Sequence, residues 1–302
     1  MSGLGGDARA QDAPSRVGEL RRLLLEDVDD GVLVVAHRGH HADAPENSVA
    51  AIEAAIAIGA HLVEVDVRAT RDRRLVLMHD RNVGRTTTGW GDIDTMPYED
   101  VRRLRLLQGI RPTAHRAPTL AEAMATARGA VLVNLDLKGV SLERAAEAVH
   151  GLGMLDHCVF KVEWSEGGAE QGRRARARWP GLIVMPMVCT EAQMRRALGD
   201  ADDSPIEFVV RDRDASHITD EALAAVRASG RRAWANALGD WNLPGLGDYD
   251  VPDLGGAVYT RLAERGFTLV QTDLPEVAIR ALGAPAGLER EPSSSGPAAA
   301  RP

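Results

Sequence analysis

Eight short apolar, β-rich runs recur along the chain, each separated from the next by a stretch of helical character. They fall at residues 32–36, 62–67, 131–137, 157–162, 182–188, 207–210, 232–235 and 268–271. Most are continuously apolar instead of alternating, as strands covered on both faces must be. Such strands, interleaved with helices, make a parallel sheet, and eight of them make a closed cylinder. The expected fold class is therefore α/β, a TIM-type (β/α)8 barrel. Helix-start signals agree. Asn47 is placed to cap an Ala-rich helix ending near Gly59, Thr119 and Glu122 have capping-box spacing, and Ser141 heads another helix.

A ninth apolar run, residues 75–78, follows the second strand too soon for a parallel crossover. A hairpin turning at Asp72-Arg73 accommodates it. Centred there, paired positions sum to about 145, which sets Asp66 across from His79. The chain then divides into a tail and short leading helix (1–30), a barrel (31–283) with a small hairpin-containing insertion over about 67–118, and a disordered tail (284–302). Residues 17–29 carry the leading helix. The loop from 238 to 265 is long and holds Trp241 and Tyr249, which suits either a surface elaboration or a lid that sizes the substrate.

A net charge of −8 gives no overall basic field for nucleic acid or anionic lipid. A chain of this balance that handles phosphate needs cations placed locally. Of 36 basic residues only Lys138 and Lys161 are lysines, and both fall at strand ends. Cys158 and Cys189 lie in apolar segments and read as buried thiols in a reduced compartment. The first residues lack an apolar signal core, and no run approaches the roughly 18 apolar residues of a membrane span. A cytoplasmic location is expected; the oligomeric state stays open.

Candidate chemistry collects where strands end. Glu64 and Asp66 are two apart on a strand and so share a face. Turned inward, two ionised carboxylates require a cation unless nearby arginines solvate them. Asp136 ends the next barrel strand and supplies a third oxygen ligand. Such a set suits one divalent cation, Mg²⁺ or Ca²⁺, and no Cys/His grouping has zinc spacing. His37 closes the first strand beside Arg38, Gly39 and Glu46, and either a packing or a proton-transfer role fits it. Arg38 can bind a phosphate oxygen or tie down Glu46. Trp164 can reach the same pocket or pack in the core. His40, His41, His61, His115, His150, His157 and His217 show no partner pattern and are assigned to surface or packing.

The motifs Ala36-His37-Arg38-Gly39, Pro45-Glu46-Asn47-Ser48, Glu64-Val65-Asp66-Val67, Thr70-Arg71-Asp72, His79-Asp80, Arg85-Thr86-Thr87-Thr88-Gly89 and Pro118-Thr119-Leu120 occur in that order. Trp234-Ala235-Asn236 and Thr272-Asp273-Leu274-Pro275 close the series. Together the chain resembles the glycerophosphodiester phosphodiesterase family over most of residues 31–283. The resemblance implies a divalent ion on Glu64, Asp66 and Asp136, and His37 and His79 as general acid and base. It also implies substrate or phosphate contacts from Arg38, Lys138, Glu46 and Trp234, with Lys161, Asn236 and Trp241 as further candidates. The substrate implied is a small phosphodiester, converted to an alcohol and glycerol phosphate through a cyclic phosphate. A lyase that stops at the cyclic product, a specialised phosphodiesterase and a non-catalytic phosphate-binding barrel are the alternatives. Asp136 stands where the family usually has Glu, and Arg73 where it usually has a turn glycine.

Overall fold

The computed structural model describes residues 15–200, 202–239, 243, 245–285 and 288. Trp241 and the segments 1–14 and 289–302, expected from the sequence to belong to a lid and to tails, lie outside the described residues. Helix α1 (Arg16–Leu25) leads, its N-terminus capped by the Ser15 hydroxyl accepting from the Gly18 N–H. Strands β1 (Leu33–Ala36) and β2 (Leu62–Ala69) follow, joined by α2 (Val49–Ala57). Next come β3 (Leu75–Leu77), α3 (Tyr98–Val101), the short pair β4 (Leu107–Gln108) and β5 (Arg111–Pro112), and α4 (Leu120–Ala127). Strand and helix then alternate: β6 (Leu132–Leu137), α5 (Leu142–Gly151), β7 (Cys158–Glu163), α6 (Glu166–Arg178), β8 (Ile183–Val188) and α7 (Glu191–Gly199). The chain ends through β9 (Ile206–Phe208), α8 (Asp220–Ala228), β10 (Ala233–Asn236), α9 (Val251–Leu254), α10 (Ala257–Arg265), β11 (Leu269–Thr272) and α11 (Pro275–Leu282).

Strands β1, β2, β6, β7, β8, β9, β10 and β11 run parallel in that order, and β11 pairs back to β1. The cylinder is closed, as the eight apolar runs require. Their outward side chains, including Val63, Val133, Phe160 and Val184, meet the helices in the main core. Their inward side chains at the N-terminal ends form a second core with Leu33, Leu62, Leu132, Val159, Met185, Trp234 and Leu269. Leu20, Leu23 and Leu24 of α1 complete it, each fully buried. So α1 stoppers the end of the barrel away from the strand C-termini. The buried Arg232 guanidinium fastens it, donating to the carbonyls of Leu23, Asp27, Gly31 and Thr268. Burial lowers its pKa to about 10, so it stays charged near neutrality.

Strand β3 lies antiparallel on β2, pairing Val67 with Leu77 and Ala69 with Leu75. The hairpin is as expected, but its register is shifted by one: the Asp66 carbonyl accepts from Met78, and His79 comes a residue later. The cause is a three-residue turn in place of a two-residue one. Arg73 donates to the Thr70 carbonyl, Thr70 donates to the Arg74 carbonyl, and Arg73 turns left-handed at φ 65°. Beyond it the insertion has its own small core of Val76, Met78, Val83, Ile93, Val101, Leu106 and Ala117.

Three local expectations change. Ser48, not Asn47, caps α2, accepting from the Ala51 N–H, because Asn47 is turned inward at φ 55°. The stretch 238–265 contains α10, whose Val258, Tyr259 and Leu262 are buried. Cys158 is buried, but Cys189 is only half-buried. The Thr119–Glu122 capping box and the Ser141 cap are observed. Among the described residues, no helix is long and apolar enough to cross a membrane.

Candidate active site

Strand alternation aims Glu64 and Asp66 to one side of β2, and the β2–β6 register sets Asp66 directly beside Asp136. Oxygens of Glu64, Asp66 and Asp136 all lie within 4.8 Å of one another. The first two are each 1 % exposed. His37 follows β1, the neighbour of β2, and so arrives with Nε2 3.9 Å from a Glu64 oxygen. His79 follows β3 and lies close enough for its charge to act on Asp136.

Burial, and next the charge of Asp66, raises the Glu64 pKa well above the carboxylate range. Burial pushes Asp136 the same way, but Lys161 and Lys138 outweigh it and hold Asp136 low. Lys138 Nζ stands 3.0 Å from Asp136 and 3.4 Å from Asp66. Among the described residues Glu64 has only the His37 ring within ion-pair distance. Three crowded carboxylates, one of them buried against like charge, fit a hard divalent cation. These are the residues that would hold it.

Asp66 is gripped from both ends by Asn47. The Asn47 amide donates to an Asp66 carboxylate oxygen at 2.8 Å, and its carbonyl accepts the Asp66 N–H at 3.0 Å. Asn47 and Arg38 both have positive φ, at 55° and 54°. That backbone costs roughly 1–2 kcal/mol per residue, and it is what turns both side chains toward the carboxylates. Arg38 donates its N–H to Glu64, its Nη1 to Glu46 at 2.9 Å, and holds Nε 3.3 Å from Asp66. Gly39 beside it cannot be replaced, since a Cβ there would meet the Cβ of Ala51 at 2.6 Å.

Each candidate catalytic imidazole is oriented by a carboxylate at Nδ1. His37 meets Asp273 at 2.7 Å, and His79 meets Asp80 at 2.6 Å. An acceptor at Nδ1 fixes the proton there and leaves Nε2 for the site. Burial depresses the His37 pKa against the pull of Asp273, so this ring is neutral with a free Nε2 lone pair. Burial acts against ionisation of Asp273, but His37 and His41 prevail and hold it low. Asp248 supports Asp273 from behind, accepting its N–H at 2.7 Å. On the other side Arg85 binds both oxygens of Glu46, at 2.7 and 2.8 Å, and reaches Asp80 at 2.5 Å. Burial opposes the ionisation of Asp80, yet Arg85 and His79 bring its pKa down to about 2.

Several residues singled out in the sequence thus meet at one rim: His37, Arg38, Glu46, Glu64, Asp66, His79, Asp136 and Lys138. Trp234 does not join them. It is 0 % exposed, two residues below the rim on the inward face, so it cannot touch a substrate. Its indole lies under Lys161, whose Nζ is 5.4 Å from the ring centroid. Lys161 and Asn236 are buried beneath the carboxylates, both bound to Glu207, at 3.2 and 2.9 Å. Trp164 packs in the core, its indole donating to Asp200. The sequence alone does not single out Asn47, Asp80, Arg85 or Asp273 as site residues, although all four lie inside the motifs named above. Nor does it single out His41, whose Nε2 lies 2.9 Å from Asp273. Nothing local signals that pairing.

A closed parallel barrel whose rim carries a carboxylate cluster between two aspartate-held imidazoles defines the class. Residues 37–174 match the glycerophosphoryl diester phosphodiesterase family. A glycerophosphodiester phosphodiesterase of Caldanaerobacter subterraneus is 38 % identical over 109 residues, 35 % of this chain and 45 % of that protein. The chain therefore spans less than half the length of this relative. Among solved structures, a glycerophosphoryl diester phosphodiesterase from Parabacteroides distasonis superposes with a TM-score of 0.75 at 23 % identity, covering 88 % of this chain and 90 % of that one. An Oleispira antarctica phosphodiesterase in complex with the product sn-glycerol-3-phosphate gives 0.65 at 24 % identity, over 83 % and 96 %. Over residues 37–174 the chain is similar to the glycerophosphoryl diester phosphodiesterase family, and the barrel is the fold of the solved structures of that family.

Proposed function

We propose that the protein is a divalent-metal-dependent glycerophosphodiester phosphodiesterase that releases an alcohol and glycerol phosphate. The observation that carries this reading is the pair of His–Asp units flanking Glu64, Asp66 and Asp136. Mg²⁺ or Ca²⁺ held by those three carboxylates would draw charge from the non-bridging phosphate oxygens. Arg38 and Lys138 stand beside the same carboxylates and add positive charge where an anionic phosphate must sit. The family match over residues 37–174 supports the reading, and so does the product named for the Oleispira antarctica neighbour.

The neutral His37 Nε2 takes the proton of the attacking glycerol hydroxyl as its oxygen bonds to phosphorus. The bond from phosphorus to the leaving alcohol breaks, and that oxygen takes a proton from His79. Water then opens the cyclic phosphate with the roles reversed: His79 accepts the water proton, and His37 returns its own to the ring oxygen. Each imidazole contributes on the order of 10²–10⁴-fold. Phosphorus NMR on glycerophosphocholine, -ethanolamine, -glycerol and -inositol, each with Mg²⁺ and with Ca²⁺, tests this. Glycerol phosphate is the expected product, and His37→Ala or His79→Ala abolishes it without unfolding the protein. Accumulation of a cyclic phosphate would make the enzyme a lyase, and no turnover of any diester would refute the reading.

A further inference from the structure

A cavity of about 600 Å³ adjoins the carboxylate cluster on its His79 side, and its charge is lopsided. Arg68, Arg73, Arg81, Lys138 and Arg144 line it against a single carboxylate, Asp94. Lys138 belongs to both places, since the same ammonium lies 3.0 Å from Asp136. Arg68 is two residues beyond Asp66 on the same face of β2, and its Nε donates to the His79 carbonyl at 2.7 Å. Arg81, two residues past His79, is neutralised by Asp94 and Asp92. Among the described residues, no carboxylate lies within ion-pair distance of Arg68, Arg73 or Arg144. Arg144 donates instead to the backbone carbonyl of Arg73, and the two side chains line the same cavity, near enough for the Arg73 charge to act on Arg144. Burial lowers the pKa of Arg68, and burial with the nearby Arg73 charge does the same to Arg144. A protein of net charge −8 holds these cations together at the edge of its reaction centre.

We propose that this cavity receives a second anionic group of the substrate, a phosphate or a carboxylate carried on the leaving alcohol. The proposal rests on the phosphodiesterase reading, in which His79 protonates that alcohol; the cavity lies on the His79 side, and the opposite rim belongs to His37. Guanidinium groups suit this role because their donors match phosphate and carboxylate in pairs. The enzyme then favours diesters with two separated negative charges over those with neutral or cationic head groups.

Two matched pairs of diesters test this and separate the anion's sources. Glycerophosphoinositol 4-phosphate is compared with glycerophosphoinositol, and glycerophosphoserine with glycerophosphoethanolamine. In at least one pair kcat/KM should favour the more anionic member by about tenfold or more. Arg144→Ala, and separately Arg73→Gly, should remove that preference and leave the other member's kcat/KM unchanged. A calorimetric titration with inositol 4-phosphate needs no turnover: wild type binds it, unphosphorylated inositol does not bind, and Arg144→Ala weakens it by about tenfold. Equal rates within both pairs, or a preference and an affinity that survive in both variants, would overturn the proposal. An enzyme that turns over no diester fails the phosphodiesterase reading, while the inositol 4-phosphate titration still decides what the cavity binds.

Discussion

At the level of single residues, the site works through pairs that hold each functional group from behind. Asp273 is the clearest case, because it fixes the His37 ring and carries the charge that an imidazolium would need. Asp273→Asn keeps the size but loses the charge, and kcat should fall on the order of 10³-fold with KM little changed; steady-state kinetics on a glycerophosphodiester would check this. An equal loss in KM would make Asp273 a binding group instead. Asn47 plays the matching part for Asp66. Asn47→Ala should weaken divalent-cation affinity by about 10–100-fold, as losing a ligand's supporting hydrogen bond does, and a calorimetric titration reads it directly. Part of this was legible in the sequence. Glu64 and Asp66 are two apart, and strand alternation alone puts them on one face. The His41–Asp273 pair was not, since its members are 232 residues apart and meet only when β11 closes on β1. Asn47 misled for a related reason. Its residue type suits a helix cap, and only the left-handed backbone, invisible in the letters, turns it into the site.

Among the elements, strands were easier to read than turns. Continuous apolar runs mark strands covered on both sides, so all eight barrel strands were recognised, whereas the β2–β3 register turned on one residue of loop length. Arg73 closes that turn at φ 65°, where a side chain is unfavourable and glycine is not. Arg73→Gly should stabilise the protein by up to about 1 kcal/mol, visible as a higher urea midpoint with an unchanged slope. No gain, or a loss, would show that the Arg73 side chain offsets its backbone strain. Helix α10 is hard to see in the sequence because it lies in a Gly- and Asp-rich stretch, and its buried Tyr259 reads equally as a loop aromatic. Tyr259 has a definite structural role, since its hydroxyl donates to Asp248, the residue behind Asp273. The long segment after β10 is therefore tied to the active-site rim as well as to the surface.

For the molecule as a whole, the two ends of the barrel divide the labour. One end is sealed by α1 and built for stability; the other carries charge that the fold alone leaves unbalanced. His61 belongs to the sealed half, its Nδ1 accepting the Val34 N–H at 2.9 Å. Burial lowers its pKa to about 4, against about 6.5 in the unfolded chain. Between those values the unfolded chain binds the extra proton, so stability rises with pH. The contribution of His61 is fully present above about pH 6.5 and is lost as the pH falls toward 4. It should amount to about 2 kcal/mol less stability at pH 5 than at pH 7.5, measured as a urea-midpoint difference that His61→Asn removes. A difference that persists in the variant would assign the acid sensitivity to other groups. The functional end can be tested more directly still. Protein stripped with EDTA should take up one equivalent of Mg²⁺ or Ca²⁺ in a calorimetric titration, and Asp66→Asn should abolish that uptake without unfolding the protein. A wild-type chain that binds no divalent cation, or an Asp66→Asn chain that binds as tightly as wild type, would contradict the claim that Glu64, Asp66 and Asp136 form the metal centre.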